Sequence, residues 1–134
     1  MTTIEARHVD GDRFEVDVHD HLVTVDQPAP AGNDEGPTPV ELFVASLASC
    51  VAVLARRYLA RHGLPTSGLA VRAEHEVSER PSRVATVRLA IGLPDGVPEQ
   101  RRRGLLAVAS HCTVHNSLLT PPEVTITLAD GGTS

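Results

Sequence analysis

With 134 residues, 41% of them apolar and 22% charged, the chain has the size and composition of one soluble globular domain. A net charge of −5 excludes nucleic acid as the main partner, and aromatic content limited to Phe14, Phe43 and Tyr58 excludes a surface that stacks bases. No N-terminal apolar run resembles a signal peptide, which predicts a cytoplasmic protein; two cysteines in a reducing compartment point to a metal, redox or core-packing role rather than a static crosslink.

Thr2–Val9 and Arg13–His19 alternate apolar and polar residues, with Ile4, Ala6 and His8 on one side of the first and Phe14, Val16 and Val18 on one side of the second. Asp10-Gly11-Asp12 between them is a turn signal, so the pair predicts a hairpin, and Leu22–Val25 a third short strand. Gln27–Pro37 is rich in Pro and Gly and reads as a loop, either an exposed connector or a segment long enough to invite a functional explanation.

Thr38–Gly63 predicts one long helix. Thr38 is a good N-cap, Pro39 falls at the first helical position, and Glu41 completes a capping box. Arg56, Arg57, Arg61 and His62 lie near its end, Gly63 suits the C′ position, and Pro65 follows. From Leu42 to Ala55 it is uncharged and apolar on every side, which predicts burial all round. It reads as too short and too rich in Ala and Ser for a membrane span, so no membrane partner is expected. Few elements in so short a chain can cover it, which predicts a homodimer built around two such helices.

Beyond the helix, Leu69–Val77 and Val84–Leu93 predict an antiparallel strand pair joined by the turn at Ser78–Arg83. Pro98 starts a helix with Leu105, Leu106, Val108 and Ala109 as its buried face and Arg101, Arg102 and Arg103 in solvent. Thr113–Leu119 predicts a short helix broken by Thr120-Pro121-Pro122, Val124–Leu128 a last strand, and Gly131–Ser134 a frayed tail. The order of elements is α+β in a single domain, 1–134, with no repeat or linker.

Cys50, in the middle of the long helix, has two readings. A free cysteine among Ala, Ser and Val packs as a small hydrophobe, with a raised pKa unless a cation or donor lies close. Within its own helix Arg57 lies about 10 Å along the axis at about 1.5 Å per residue, and Ser46 offers only a hydrogen bond; activation is therefore expected from elsewhere in a dimer. Cys112 precedes the short helix, whose N-terminus is expected to lower its pKa. With His111 and His115 beside it, Cys112 is also half of a possible zinc site.

PTPVELFVASLASC, ending at Cys50, and HCTVHNSL, around Cys112, resemble the signature of the OsmC/Ohr superfamily of thiol-dependent hydroperoxide reductases. The preceding VDQPAPAGNDEGPTP is similar to the loop of the OsmC-like branch, so the resemblance covers nearly the whole chain. It implies an α+β fold with a long helix wrapped by antiparallel sheets, in an intertwined homodimer with the active site at the interface. It implies that Cys50 is the peroxidatic thiolate that attacks an organic hydroperoxide and becomes a sulfenic acid, and that Cys112 resolves it to a disulfide. A dithiol reductant of lipoyl type would restore both thiols, with no cofactor, metal or flavin. The family pairs its reactive cysteine with an arginine from the early hairpin, for which Arg13 is the first candidate and Arg7 the second, and with a glutamate ten residues before the cysteine.

Two positions depart from that pattern. Val40 stands where the family's glutamate falls, and Glu41, nine residues before Cys50, points about 180° away on an ideal helix. Thr113 follows Cys112 where the motif usually has proline. Three functions remain open to the sequence: a cysteine-based hydroperoxide reductase, a non-catalytic module of the same fold that binds a small apolar or thiol-reactive ligand, and a metal site built on Cys112, His111 and His115.

Overall fold

The protein is described by a computed structural model over residues 2–129; the tail expected at Gly131–Ser134 lies outside them. Five strands and three helices follow in the order β1 (Ile4–Asp10), β2 (Arg13–Val18), β3 (His21–Val25), α1 (Pro39–Arg61), β4 (Ala70–Ser78), β5 (Arg83–Gly92), α2 (Glu99–Ala109) and α3 (Thr113–Leu119). The described residues form two compact units, divided on α1 between Ala48 and Ser49.

The first unit contains the chain up to Ala48 together with Arg72–Ala90. Strands β1, β2 and β3 form an antiparallel sheet in chain order, as their alternation predicts. Ile4 lies opposite Val18, Ala6 opposite Val16 and His8 opposite Phe14, so the apolar positions of both strands share one face. The other face is charged: Arg7 pairs with Asp17 and approaches Glu5 at 3.4 Å and Glu15 at 3.9 Å. Gly11 makes the turn with φ of 51°, a conformation that glycine adopts without strain. Strands β4 and β5 form a separate two-stranded sheet, and the short link between them requires an antiparallel pair.

The loop from Asp26 to Pro37 is an ordered knot rather than a slack connector. Asp26 is fully buried. Its carboxylate accepts the backbone N–H of Gln27 at 2.7 Å and those of Asn33 and Glu35 at 3.1 Å. Its own N–H donates to the Pro37 carbonyl at 3.2 Å, which closes the loop on itself. Burial opposes the charge on Asp26, but the N–H groups of Gln27, Glu35 and Asn33 and the nearby Arg13 outweigh it and hold the carboxyl below its usual range. Arg13 reaches that neighbourhood by register: Phe14 pairs with Val25, so the next position out on each strand is Arg13 opposite Asp26.

Helix α1 begins and ends as its sequence predicts. Glu41 N–H donates to Thr38 Oγ1 at 3.1 Å and Thr38 N–H to Glu41 Oε1 at 2.9 Å, a complete capping box. At the other end Leu64 N–H reaches the Leu59 carbonyl at 2.8 Å and Gly63 N–H the Ala60 carbonyl at 3.1 Å, with Gly63 at φ 66°, a Schellman motif. Burial is the point of difference. Val44, Leu47, Val51, Ala55, Tyr58 and Leu59 form one buried stripe at helical spacing, whereas Val40, Phe43 and Val53 are exposed. In the single chain the helix is therefore amphipathic by packing, not covered all round. Nor do its dimensions exclude a membrane span: over an 18-residue window its mean hydropathy is 1.6.

The second unit comprises Ser49–Val71 and the described residues from Ile91 on. Its core is Ala55, Tyr58 and Leu59 of α1 with Val97 and Leu105, flanked by Leu64, Leu69, Ile91, Leu93 and Val108. Helix α2 buries Leu105 and Ala109 and half-buries Val108, but Leu106 is exposed, since it lies one residue round from the Leu105–Ala109 stripe. Gly104 is the position where α2 crosses the Tyr58 ring; a Cβ there would lie 3.2 Å from Cζ and inside contact distance of the hydroxyl oxygen. Helix α3 forms where expected. The strand expected at Val124–Leu128 does not: only an isolated bridge at Thr127 is present, and Val124, Ile126 and Leu128 are exposed. Alternation supplies a strand's two faces, but a strand also needs an edge to pair with, and this segment finds only that bridge within the described chain.

Replacing Gly32 by alanine tests the knot. A Cβ at Gly32 falls onto Asp26 Oδ1 and the Gln27 carbonyl, so the loop has to open to admit it. The expected loss is about 1–3 kcal/mol, read as a lower urea midpoint at unchanged slope; an unchanged midpoint contradicts the knot.

Candidate active site

The second unit brings the two thiols together. Cys50 projects from the middle of α1, half-buried, and Cys112 is fully buried at the N-cap of α3. Both are free, and each acts on the other's ionisation. Cys112 has the extended backbone of a cap, φ −77° and ψ 154°, and its sulfur turns inward to accept the N–H of His115, three residues on, at 3.3 Å. The remaining amides of the first turn, Thr113 and Val114, hydrogen-bond Cys50. A helix start leaves its first N–H groups without partners inside the helix, so they are free to serve a sulfur from another element.

The consequence is an asymmetric pair. Burial opposes ionisation of Cys50, but the N–H of Val114, the S–H of Cys112 and the N–H of Thr113 together outweigh it and bring the thiol below its ordinary value. Burial pushes Cys112 up; the N–H of His115 works against that rise, while the hydrogen bond and charge from Cys50 reinforce it. The two shifts run in opposite directions, so Cys50 is the first of the pair to ionise. This reverses one expectation and narrows another. The helix N-terminus favours both thiolates, but on Cys112 burial and the neighbouring Cys50 outweigh its amides, so only Cys50 ends below the ordinary value. The groups that favour the Cys50 thiolate here, Val114, Cys112 and Thr113, belong to this same chain.

The other expected residues have different surroundings. Arg13 lies in the first unit, where its charge acts on Asp26. Arg7 is bound into the ion pair with Asp17. Glu41 is the capping acid of α1, and Val40 is exposed. His111 and His115 direct Nδ1 at the backbone carbonyls of Ala107 (2.7 Å) and Ser110 (2.9 Å), where the ring N–H donates. Among the described residues no group of three His, Cys, Asp or Glu is placed to hold a metal ion. The first unit also carries an apolar groove of about 470 Å³, lined by Ala6, Phe14, Val16, Val25, Pro39 and Leu42 with Asp12 and Gln27 at polar positions. Sequence reasoning missed Asp26, whose partners become visible only once the loop is folded; Gly32 and Gly36, packed against Asp26 and against the Thr24 carbonyl, were the available hint.

The fold is α+β, with one free thiol on a long helix and a second at the cap of a short one. Residues 32–127 match the family model of the OsmC-like proteins, and the chain belongs to that family. A comparison by sequence with curated proteins gives no match. Solved structures agree on the fold. A Psychrobacter arcticus protein named for an osmotic-stress and detoxification response is 22% identical with a TM-score of 0.80, over 87% of this chain and 88% of that one. The OsmC-like protein of Mycoplasma pneumoniae is 16% identical with a TM-score of 0.77, over 90% and 89%. The organic hydroperoxide resistance protein OsmC of Legionella pneumophila is 21% identical with a TM-score of 0.60, over 88% of each chain. The organic hydroperoxide resistance proteins of Legionella pneumophila and Bacillus subtilis share this fold.

Alkylation of Cys50 as a function of pH tests the geometry. Because the thiolate is the nucleophile, the rate rises with pH and its midpoint gives the thiol pKa. The midpoint is expected below that of an ordinary free cysteine in the wild type. It moves up in C112A, which removes a donor that favours the thiolate. A C112A midpoint equal to or below that of the wild type refutes the hydrogen bond.

Proposed function

We propose that the protein is a cysteine-based reductase of organic hydroperoxides, acting in oxidative-stress defence. The observation that carries this reading is the pair of free thiols in one unit, Cys50 on α1 and buried Cys112 at the N-cap of α3, with Cys50 drawn below the ordinary thiol value and Cys112 pushed above it. The Cys50 thiolate attacks the distal oxygen of the peroxide. The O–O bond breaks, the alcohol leaves and Cys50 becomes a sulfenic acid. The Cys112 sulfur then displaces hydroxide from Cys50, giving a disulfide and water. A dithiol of lipoyl type restores both thiols by exchange. The influence of each thiol on the other's ionisation supports this second step, since it places the two groups in one neighbourhood. Arg13 enters the reading as the cation that orients the peroxide, and no cofactor or metal is called for.

The active form in this reading is a homodimer in the cytoplasm. Two features support the dimer: the exposed apolar side chains Val40, Phe43 and Val53 on α1, and the unpaired run Val124, Ile126 and Leu128. Val40, in place of an acid on the first turn of α1, favours a second reading, a non-catalytic module that binds a small apolar or thiol-reactive ligand. If that reading is right, an apolar alcohol raises the Tm of C50S while the wild type turns over no peroxide.

The direct test is consumption of tert-butyl hydroperoxide with dihydrolipoate as reductant. One equivalent of peroxide is expected to remove both titratable thiols of the wild type. C50S is expected to lose turnover entirely. C112S should stop at a sulfenic acid that dimedone traps on Cys50. Two thiols that stay titratable after peroxide treatment would falsify the proposal. R13A is expected to lower kcat/KM about 10²-fold, on the scale of a misplaced substrate; an unchanged kcat/KM removes Arg13 from the site.

A further inference from the structure

A helix ends with carbonyls that have no partner inside it, and α2 is no exception. Three of them find donors just beyond its end. His111 N–H donates to the Val108 carbonyl at 3.1 Å, and the His111 ring donates through Nδ1 to the Ala107 carbonyl at 2.7 Å. The Ser110 carbonyl is taken by the His115 ring, 2.9 Å from Nδ1. That third bond differs from the other two because it spans Cys112. His115 thus holds the cysteine from two directions. Its ring fastens the backbone two residues before Cys112, and its main-chain N–H donates to the Cys112 sulfur at 3.3 Å. Packing gives α3 little further support: none of its residues is buried, and His115 is half-buried, whereas Cys112 just ahead of it is fully buried. The direction of the Cys112 sulfur follows the first turn of α3, and His115 ties that turn to the end of α2.

We propose that His115 is a positioning residue for the disulfide-forming step, holding the Cys112 sulfur in the orientation that resolves an oxidised Cys50. This rests on the roles proposed above for Cys50 and Cys112. In that step the Cys112 sulfur attacks the Cys50 sulfenic sulfur. The S–S bond forms, the S–O bond breaks, and the departing hydroxide takes the Cys112 thiol proton and leaves as water. Cys112 supplies two electrons and Cys50 accepts them. Disulfide geometry is narrow, so a sulfur free to sample its other rotamers is wrongly placed much of the time. A tether that selects one orientation in advance removes that cost from the barrier. His115 acts through Cys112 alone, so the tether belongs to the second step and not to the attack of Cys50 on the peroxide. His111 supplies the contrast. It makes the same kind of ring bond to the same helix end, but its bond stops short of Cys112.

The test separates the two steps in a single turnover with tert-butyl hydroperoxide. Loss of the Cys50 thiol, divided by its thiolate fraction measured by alkylation, gives the first step. The lifetime of the sulfenic acid that dimedone traps gives the second. H115L removes the ring bond at similar side-chain size, with H115A in its place if the leucine does not fold. It is expected to lengthen the sulfenic lifetime about 10²-fold, the scale of a misplaced reacting group, with the first step within a few-fold of wild type. H115N, whose amide N–H takes the place of Nδ1–H, is expected to restore the lifetime, and H111L to leave it unchanged. A wild-type lifetime in H115L, no rescue in H115N, or equal slowing in H111L overturns the proposal. Alkylation of Cys112 in the reduced protein reads the tether without peroxide. It is expected to be faster in H115L than in wild type, H115N or H111L, and an unchanged rate overturns the tether. A wild type that forms no sulfenic acid overturns instead the peroxidatic reading, and Cys112 alkylation then decides the tether by itself.

Discussion

Cys50 receives hydrogen bonds from the backbone of Thr113 and Val114 and from the thiol of Cys112, and the chemistry of the second unit depends on their delivery. A thiol on an apolar helix is a poor nucleophile when burial alone acts on it. Here the local backbone outweighs burial. Neutral dipoles held by secondary structure, rather than a nearby charge, make the difference, and they lose nothing to reorganisation when the thiolate forms. Those dipoles stay in place only while α3 keeps its first turn, and that turn is capped by Cys112 itself. One residue thus caps the helix and acts on the Cys50 thiol.

The rest of the unit supports this arrangement through packing. Tyr58 and Leu59 anchor α1 against Val97 and Leu105, and Gly104 lets α2 approach the Tyr58 ring. Ala109 and Cys112, both buried, carry the chain from the end of α2 to the start of α3. In the first unit the same logic appears with a carboxylate. Asp26 is buried, receives three backbone N–H groups and is opposed in register by Arg13. At both sites peptide N–H groups favour the ionised form against burial, and they cost less to desolvate than a second full charge.

Much of the fold was legible because its signals are local. Thr38 and Glu41 face each other within one turn, Gly63 can take positive φ at the helix end, and the period-two pattern of the early hairpin sets its register. The two cysteines and their flanking motifs pointed to the family, and the fold agrees. Other features depended on contacts that sequence spacing does not encode. The amides that serve Cys50 lie more than sixty residues away, and nearness in sequence assigned them to Cys112 instead. Asp26 gave no signal, because a single acid before a Pro-rich loop acquires its role only when residues 33 and 35 fold back onto it. Val124–Leu128 has the alternation of a strand and only an isolated bridge, at Thr127, among the described residues; apolar Val53 on α1 is exposed. In both places the pattern states what a residue needs, not whether one chain provides it.

The central claim is the order in which the two thiols ionise. Carbon-13 labelling at the cysteine Cβ reports each sulfur separately, because the Cβ shift changes when its own thiol loses a proton. With the protein reduced and titrated upward in pH, the account predicts that the Cys50 Cβ moves first, below the ordinary thiol range, and that Cys112 follows at clearly higher pH as the second step of a linked pair. If Cys112 titrates first, or both titrate together at the ordinary value, the account is wrong.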